Sequence, residues 1–316
     1  MKSTTLSVFK LTATLALTML LGWEIVRFQQ NHEIHFSFDS GFGGWLILAL
    51  LLSPINWLME CLRWRASMSQ HNSITMAEAW KTVLTGITIG FITPGRIGDY
   101  VGRAIAQPMK ATETMTSTWI AGLCQNWVNL VFGLAGSGYL YYRLSTPYFI
   151  PVISIALVML SFVSILLFKD SWRDGLVRLT LRLVKKYLKF ITVPEYLLTQ
   201  KQDYPKLKLF LLSMLRYLIY SGQYVLVAKA FGILAPAYLL ISIISTTLMI
   251  QSMIPVPFIA GLLTRAQISI MLWGLIGINF DKALTVSFVI WMINLLLPSL
   301  LGLKYVLMLE PIKENP

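Results

Sequence analysis

Apolar stretches of bilayer length alternate along this chain with short polar segments, and that alternation predicts membrane-spanning helices. A helix needs about 20 apolar residues to cross the hydrocarbon core, and runs of that size occupy residues 6–28, 42–61, 117–139, 148–168, 207–230 and 283–303. Two further regions, 76–106 and 237–277, each hold two apolar pieces separated by a break. They read as helical hairpins whose arms reach part or all of the way across. The predicted fold is all-α, a polytopic integral membrane bundle with two pseudo-repeated halves, each containing a broken, re-entrant hairpin.

The breaks carry the candidate chemistry. The first, Thr93-Pro94-Gly95-Arg96-Ile97-Gly98-Asp99-Tyr100, ends a helix arriving from Trp80 to Phe91, because proline lacks the helical N–H and glycine weakens helix locally. Broken backbone at membrane depth is tolerated only where protein covers it or where it lines water. The second break runs from Met253 through Pro255, Pro257 and Gly261 to Arg265. In both, proline follows an apolar helix and an arginine stands at the start of the next. Interrupted helices at corresponding places in two halves point to a transporter binding site.

Helices restarting near Gly98 and Leu263 would present unpaired N–H groups and a positive dipole end to phosphate or carboxylate. Arg96, Arg103 and Arg265 add charge, and a guanidinium fork holds two phosphate oxygens at once. The predicted substrate-binding set is Gly95, Arg96, Gly98, Asp99, Arg103, Arg216 and Arg265. Asp99 would orient Arg96 or Arg103, or meet a cationic headgroup. The structural alternative is that Arg96, Asp99 and Arg103 form an ion-pair network stapling the hairpin. Arg216 either lines the cavity or snorkels to the interface. Gln125, Asn126 and Asn129 serve as interhelical glue or as cavity lining.

Composition narrows the classes. Hydrophobic residues make up 56% of the 316 residues and charged ones 13%, and mean hydropathy is +0.67, outside the range of an ordinary soluble domain. The net charge of +12 sits in short segments between apolar runs, where anionic lipid headgroups are a nearer partner than nucleic acid. Cys61 and Cys124 lack CxxC spacing and read as packing residues. His32, Glu33 and His35 fall short of a metal-ligand set. No catalytic motif, metal site or cofactor is predicted, since the chain lacks GxSxG, HExxH, a P-loop and a Rossmann fingerprint.

Lysine and arginine asymmetry sets the expected orientation. Lys2, Lys10, Arg63, Arg65 and the basic stretch 169–208 belong in the cytoplasm, and loops 29–41, 141–147 and 278–282 outside. Both termini come out cytoplasmic, in a bacterial inner membrane, with the first span a retained signal anchor. The first hairpin then enters from the cytoplasm and the second from outside. Tyr139, Tyr141, Tyr142 and Tyr148 bracket an outer loop as an interfacial belt would, and Glu24 and Arg27 form a local pair near the outer end of the first span. Between residues 172 and 190, Arg178, Arg182, Lys185, Lys186 and Lys189 share one helical face, as in an amphipathic helix on the inner leaflet or a solvated connector.

At TPGRIGDYVGRA, with Arg63-Trp64 upstream and the proline-glycine-arginine break in the second half, the chain resembles the transmembrane flippase domain of the lysylphosphatidylglycerol synthase family. The family pattern P-G-x-x-G-acid-x-x-R is matched by Pro94, Gly95, Gly98, Asp99 and Arg103, although the spacing before the arginine is one residue longer. Its second motif, G-x-R-E, is matched less well: Gly261 and Arg265 are followed by Ala266 where the family carries an acid. The resemblance implies movement of a phospholipid or lipid-linked headgroup between leaflets. It does not imply aminoacyl-lipid synthesis, because no soluble synthase domain is recognised in this sequence.

The expected organisation is a single transmembrane domain over 1–316, with a first half about 1–168 broken at 93–100, a basic connector about 169–206, and a second half about 207–316 broken at 254–265. Its expected substrate is an anionic phospholipid or lipid-linked headgroup. A lipid-modifying enzyme with Asp99 as general base, or an accessory subunit of an envelope assembly, is the alternative. A partner membrane protein or a homo-oligomer is left open.

Overall fold

The computed structural model describes residues 41–68, 74–93, 97–107, 110–187, 204–254 and 258–309, and among them all regular structure is helical. In chain order the helices are α1 (Phe42–Met68), α2 (Met76–Phe91), α3 (Ile97–Ala106), α4 (Ala111–Leu144), α5 (Phe149–Phe168), α6 (Asp170–Tyr187), α7 (Lys206–Ala230), α8 (Ala237–Met253), α9 (Phe258–Gly274), α10 (Phe280–Trp291) and, after a π-helical turn at Met292–Leu296, α11 (Leu297–Leu307). The expected first span and the histidine cluster lie outside the described residues. Among the described residues, four stretches are long and apolar enough to cross a membrane: α1, α5, α7 and the continuous run Phe280–Leu307. The expected span 117–139 lies inside α4, which is 34 residues long but punctuated by threonines, Glu113, Gln125, Asn126 and Asn129.

α1 shows the logic of the bundle. Its apolar Ile47, Leu48, Leu51, Ile55 and Leu58 are exposed, whereas Ala49, Ser53, Asn56, Glu60, Arg63 and Ser67 are buried. Those buried positions are spaced alternately four and three residues apart, one stripe of a helix, and most of them are polar. The helix is thus apolar outward and polar inward, which suits hydrocarbon on one side and a hydrogen-bonded interior on the other. The polar stripe also carries α1 past the expected end at Cys61 to Met68. α7 lies along α1, and Gln223 of α7 donates to the Ala49 carbonyl and to Ser53 Oγ, both at 3.0 Å.

Small residues let the hairpin backbones touch. Gly86 and Gly90 of α2 face Gly98 and Gly102 of α3, both pairs in GxxxG spacing; a Cβ on Gly90 would stand 2.9 Å from the Asp99 nitrogen, and one on Gly102 3.0 Å from the Gly86 Cα. Close approach of this kind is how helices associate where lipid removes the hydrophobic drive. Thr93 closes the turn: its hydroxyl lies within bonding distance of the Ile89 carbonyl and accepts the Gly98 N–H at 2.7 Å. At the other end Thr75 and Glu78 make a capping box for α2, satisfying two otherwise orphaned donors. At about 1.5 Å per residue, α3 is roughly 15 Å long, half the hydrocarbon thickness.

The same device recurs elsewhere. A Cβ on Gly302 of α11 would overlap Thr88 Oγ1 and the Leu84 carbonyl of α2, and one on Gly136 of α4 would stand 2.7 Å from the Ser242 carbonyl of α8. On α8 the hydroxyls of Ser242, Ser245, Thr246 and Thr247 turn back onto carbonyls four residues earlier, so these polar groups are satisfied without leaving the helix. In the last run, Pro298 cannot donate a helical N–H and its ring would strike the carbonyl of residue 294. The backbone widens one turn before it, where the Leu297 N–H reaches the Met292 carbonyl, and such π turns often mark functional positions.

α6 is clipped to the start of α7. Arg173 pairs with Asp170 at 2.7 Å and Asp174 at 3.0 Å, Lys206 reaches Asp170 at 2.8 Å, and the Arg173 guanidinium lies 5.4 Å from the Tyr204 ring centre. Trp172 and Leu179 stay exposed.

Gly302→Ala is expected to destabilise the protein by about 1–3 kcal/mol, the usual cost of overpacking, because the colliding groups include backbone. Gly138→Ala, where a Cβ would meet nothing within 4 Å, is expected to leave stability unchanged. Thermal unfolding of the two purified variants in detergent checks the difference.

Candidate substrate cavity

Helices on either side of the two breaks line one cavity. Its volume is about 330 Å³, and its walls come from α1 (Trp57, Glu60, Arg63), α3 (Asp99, Tyr100, Arg103), α4 (Gln125, Asn126, Asn129), α7 (Arg216, Tyr217, Tyr220), α8 (Gln251, Ser252), α9 (Arg265), α10 (Trp291) and the π turn (Asn294). The first hairpin supplies Asp99 and Arg103 and the second Gln251 and Arg265, so residues far apart in sequence meet at the centre of the bundle.

Glu60 organises the walls. Its carboxylate accepts from Arg63 Nη2, from Arg103 Nη2 at 2.9 Å, and pairs with Arg216 Nε at 3.5 Å. Arg103 also donates to both oxygens of Asp99, at 2.8 and 3.2 Å. Gln125 Oε1 accepts from Arg63 at 2.9 Å and from Arg216 at 3.3 Å, while its amide nitrogen donates to Asn129 Oδ1 at 3.1 Å. Charges from α1, α3 and α7 are thereby joined in one network. Glu60, Arg63 and Arg103 are 7%, 4% and 2% exposed, which is far too buried for surface pairs.

The walls carry more positive than negative charge. Among the described residues four arginines, Arg63, Arg103, Arg216 and Arg265, face the cavity against two carboxylates, Glu60 and Asp99. Both carboxylates are already engaged by guanidiniums. Arg265 makes no ion pair among the described residues. Donors are also in surplus, since Arg103 Nη1 and the indole nitrogen of Trp57 are buried without a hydrogen-bond partner among the described residues. An unpaired buried donor costs about 1–3 kcal/mol, so a cavity with this lining favours a ligand that brings acceptor oxygens and negative charge.

Of the residues predicted from sequence, the structure brings Asp99, Arg103, Arg216 and Arg265 to the cavity. Gly98 packs against α2 and gives its N–H to Thr93, so that amide is engaged within the protein. Gly95 and Arg96 lie outside the described residues. The second helix restarts at Phe258 rather than near Leu263, which puts Arg265 two turns inside α9 and not at its N-terminus.

Glu60 is not singled out by the sequence, and Arg63 enters there as a cytoplasmic charge and in the family resemblance but not as a site residue. The Arg63 side chain is nonetheless buried in the network. The available signal was the i, i+3 spacing of an acid and a base at the end of an apolar run, together with the polar stripe they extend. Gln125 is both glue and lining, since it accepts from Arg63 of α1 and Arg216 of α7, whereas Asn126 and Asn129 line the cavity and Asn129 bonds to Gln125 within α4.

Glu60→Gln leaves buried guanidiniums without their shared counter-charge, and breaking a buried pair costs about 3–5 kcal/mol. The variant is expected to lose most of its monodisperse protein on size-exclusion chromatography. Glu60→Gln combined with Arg63→Gln is expected to recover part of that loss, and a double-mutant cycle on thermal stability measures the coupling.

The family described as the lysylphosphatidylglycerol synthase TM region matches residues 9–302. Searches among curated proteins and among solved structures find no match. The matched stretch takes in every cavity-lining helix, and its members are membrane-embedded and linked to lipid handling. The chain belongs to the family of the lysylphosphatidylglycerol synthase transmembrane region.

Proposed function

We propose that this protein translocates an anionic phospholipid or lipid-linked headgroup between leaflets, with the headgroup held in the central cavity and the acyl chains left in the bilayer. The observation that supports this reading best is the unbalanced charge of the cavity: among the described residues, four arginines stand against two engaged carboxylates, and each broken hairpin supplies one of the arginines. Charge at membrane depth costs a few kcal/mol or more. Stability alone favours matched pairs, and a surplus is expected where a ligand supplies the missing negative charge.

In this reading Arg265 and Arg103 contact the phosphate, Arg216 screens it from α7, and Asp99 orients Arg103. Arg96, Gly95 and Gly98 of the first break are proposed to complete the substrate-binding set. The two hairpins, entering from opposite faces as inverted repeats, would open the cavity to each leaflet in turn. A lipid-modifying enzyme would instead need Asp99 as a free base, and both its oxygens accept from Arg103.

Arg265→Gln is expected to lower translocation of a fluorescent phosphatidylglycerol in proteoliposomes by at least about tenfold, the loss of one charge-assisted hydrogen bond, with its elution profile unchanged. Wild-type rates in that variant would reject the substrate role. The orientation is tested with Lys186→Cys in a background carrying Cys61→Ala and Cys124→Ala. An impermeant maleimide is expected to label it only after the membrane is opened, because the basic connector belongs inside.

A further inference from the structure

The charged groups occupy only part of the cavity wall. Around the remainder stand amides and aromatics: Asn126, Asn129 and Gln251, with the indoles of Trp57 and Trp291. A phosphate only accepts hydrogen bonds, so guanidiniums would suffice to hold it. An amide offers donors and an acceptor together, which matches a hydroxyl, itself both donor and acceptor. Aromatic side chains give a broad apolar face with a polar edge, and Trp57 keeps a buried indole N–H without a partner among the described residues.

The volume agrees with this division. At about 330 Å³ the cavity lies within the range of pockets that enclose a drug-sized ligand, more room than a lone phosphate fills. A cationic substituent finds no free carboxylate, because Glu60 is shared among Arg63, Arg103 and Arg216 and Asp99 is held by Arg103.

We propose that the headgroup is a phosphate ester of a sugar or cyclic polyol, its phosphate facing Arg265 and Arg103 and its hydroxyls facing Asn126, Asn129 and Gln251. The inference rests on the reading of the cavity as an anionic-headgroup site and narrows it to a polyhydroxylated, non-cationic class. The lipid brings a negative charge that offsets the surplus of the arginines. Its ring brings the hydroxyls that the amides are placed to meet.

The experiment measures binding of three defined lipids to the purified full chain in nanodiscs of phosphatidylcholine, read by tryptophan fluorescence and by native mass spectrometry. The probes are phosphatidylinositol, phosphatidic acid and the neutral monogalactosyl diacylglycerol. Phosphatidylinositol is expected to bind at least about tenfold more tightly than phosphatidic acid, the sum of two ordinary hydrogen bonds, with the neutral glycolipid weakest. Asn126→Leu combined with Asn129→Leu is expected to collapse the ratio between the two anionic lipids. Arg265→Gln is expected to weaken both anionic lipids in parallel. Equal binding of phosphatidic acid and phosphatidylinositol to the wild-type chain would overturn the polyol inference while leaving the anion site standing. Equal binding of the neutral glycolipid and phosphatidylinositol, or indifference of all three lipids to Arg265→Gln, would overturn the anion site itself. If the asparagine pair fails to fold, Gln251→Leu gives the same reading of the ratio.

Discussion

A single carboxylate, Glu60, holds the interior together. Two unit charges about 4 Å apart attract by about 4 kcal/mol at an effective dielectric of about 20, and each charge withdrawn from water costs several kcal/mol after relaxation. Arg63, Arg103 and Arg216 come from three different helices, and their guanidiniums can approach one another only because Glu60 lies between them. The carboxylate thus fixes α1, α3 and α7 around a common point. Arg103 also ties α3 to its own Asp99, so the position of the first hairpin depends on the same anion.

That electrostatic centre needs backbones close enough to reach it. α3 is short, and it stands against α2 at glycine contacts that a methyl group would obstruct. α2 in turn is met closely by Gly302 of α11, and its own Thr88 donates its hydroxyl to the Ser299 carbonyl of that helix at 2.8 Å. Small residues therefore set the distance, and charge sets the register. Neither works alone, since close packing without Glu60 would force the guanidiniums together unscreened, and Glu60 without the glycines would leave Arg103 out of range.

The sequence made the breaks legible because proline and glycine act locally. Pro94 and Gly95 placed the first interruption between Phe91 and Ile97, where the helices do end and restart. The cavity was legible only in part. Arg103, Asp99 and Arg265 stood out as charges beside a break, and Arg216 as one inside a span, but Glu60 and Arg63 sat where an apolar run ended and resembled the edge of a loop. Hydropathy reads the outer face of α1 and is blind to its inner stripe, and only the four-three spacing from Ala49 to Ser67 reveals that the polar residues continue one surface. Asn294 was hidden for a different reason: its place on the wall follows from a π turn imposed by Pro298, and a turn of that kind shifts which residue faces inward.

Arg265 is where stability and the proposed function oppose each other. Arg63, Arg103 and Arg216 are balanced at least in part by carboxylates, so their desolvation is offset within the fold. Arg265 lines the same cavity and has no ion pair among the described residues, and an apolar residue there would relieve repulsion from the other three. Proteins retain groups that lower their stability where activity needs them. An anion that binds the folded chain returns the lost stability by mass action, so on the proposed reading the empty cavity is the strained state and the occupied one the relaxed state. That asymmetry is useful to a translocator only if it is modest: the site must favour the headgroup enough to draw it from one leaflet and weakly enough to release it to the other. A guanidinium without an ion pair among the described residues, facing a network that its own carboxylates offset in part, meets that condition better than four free ones would.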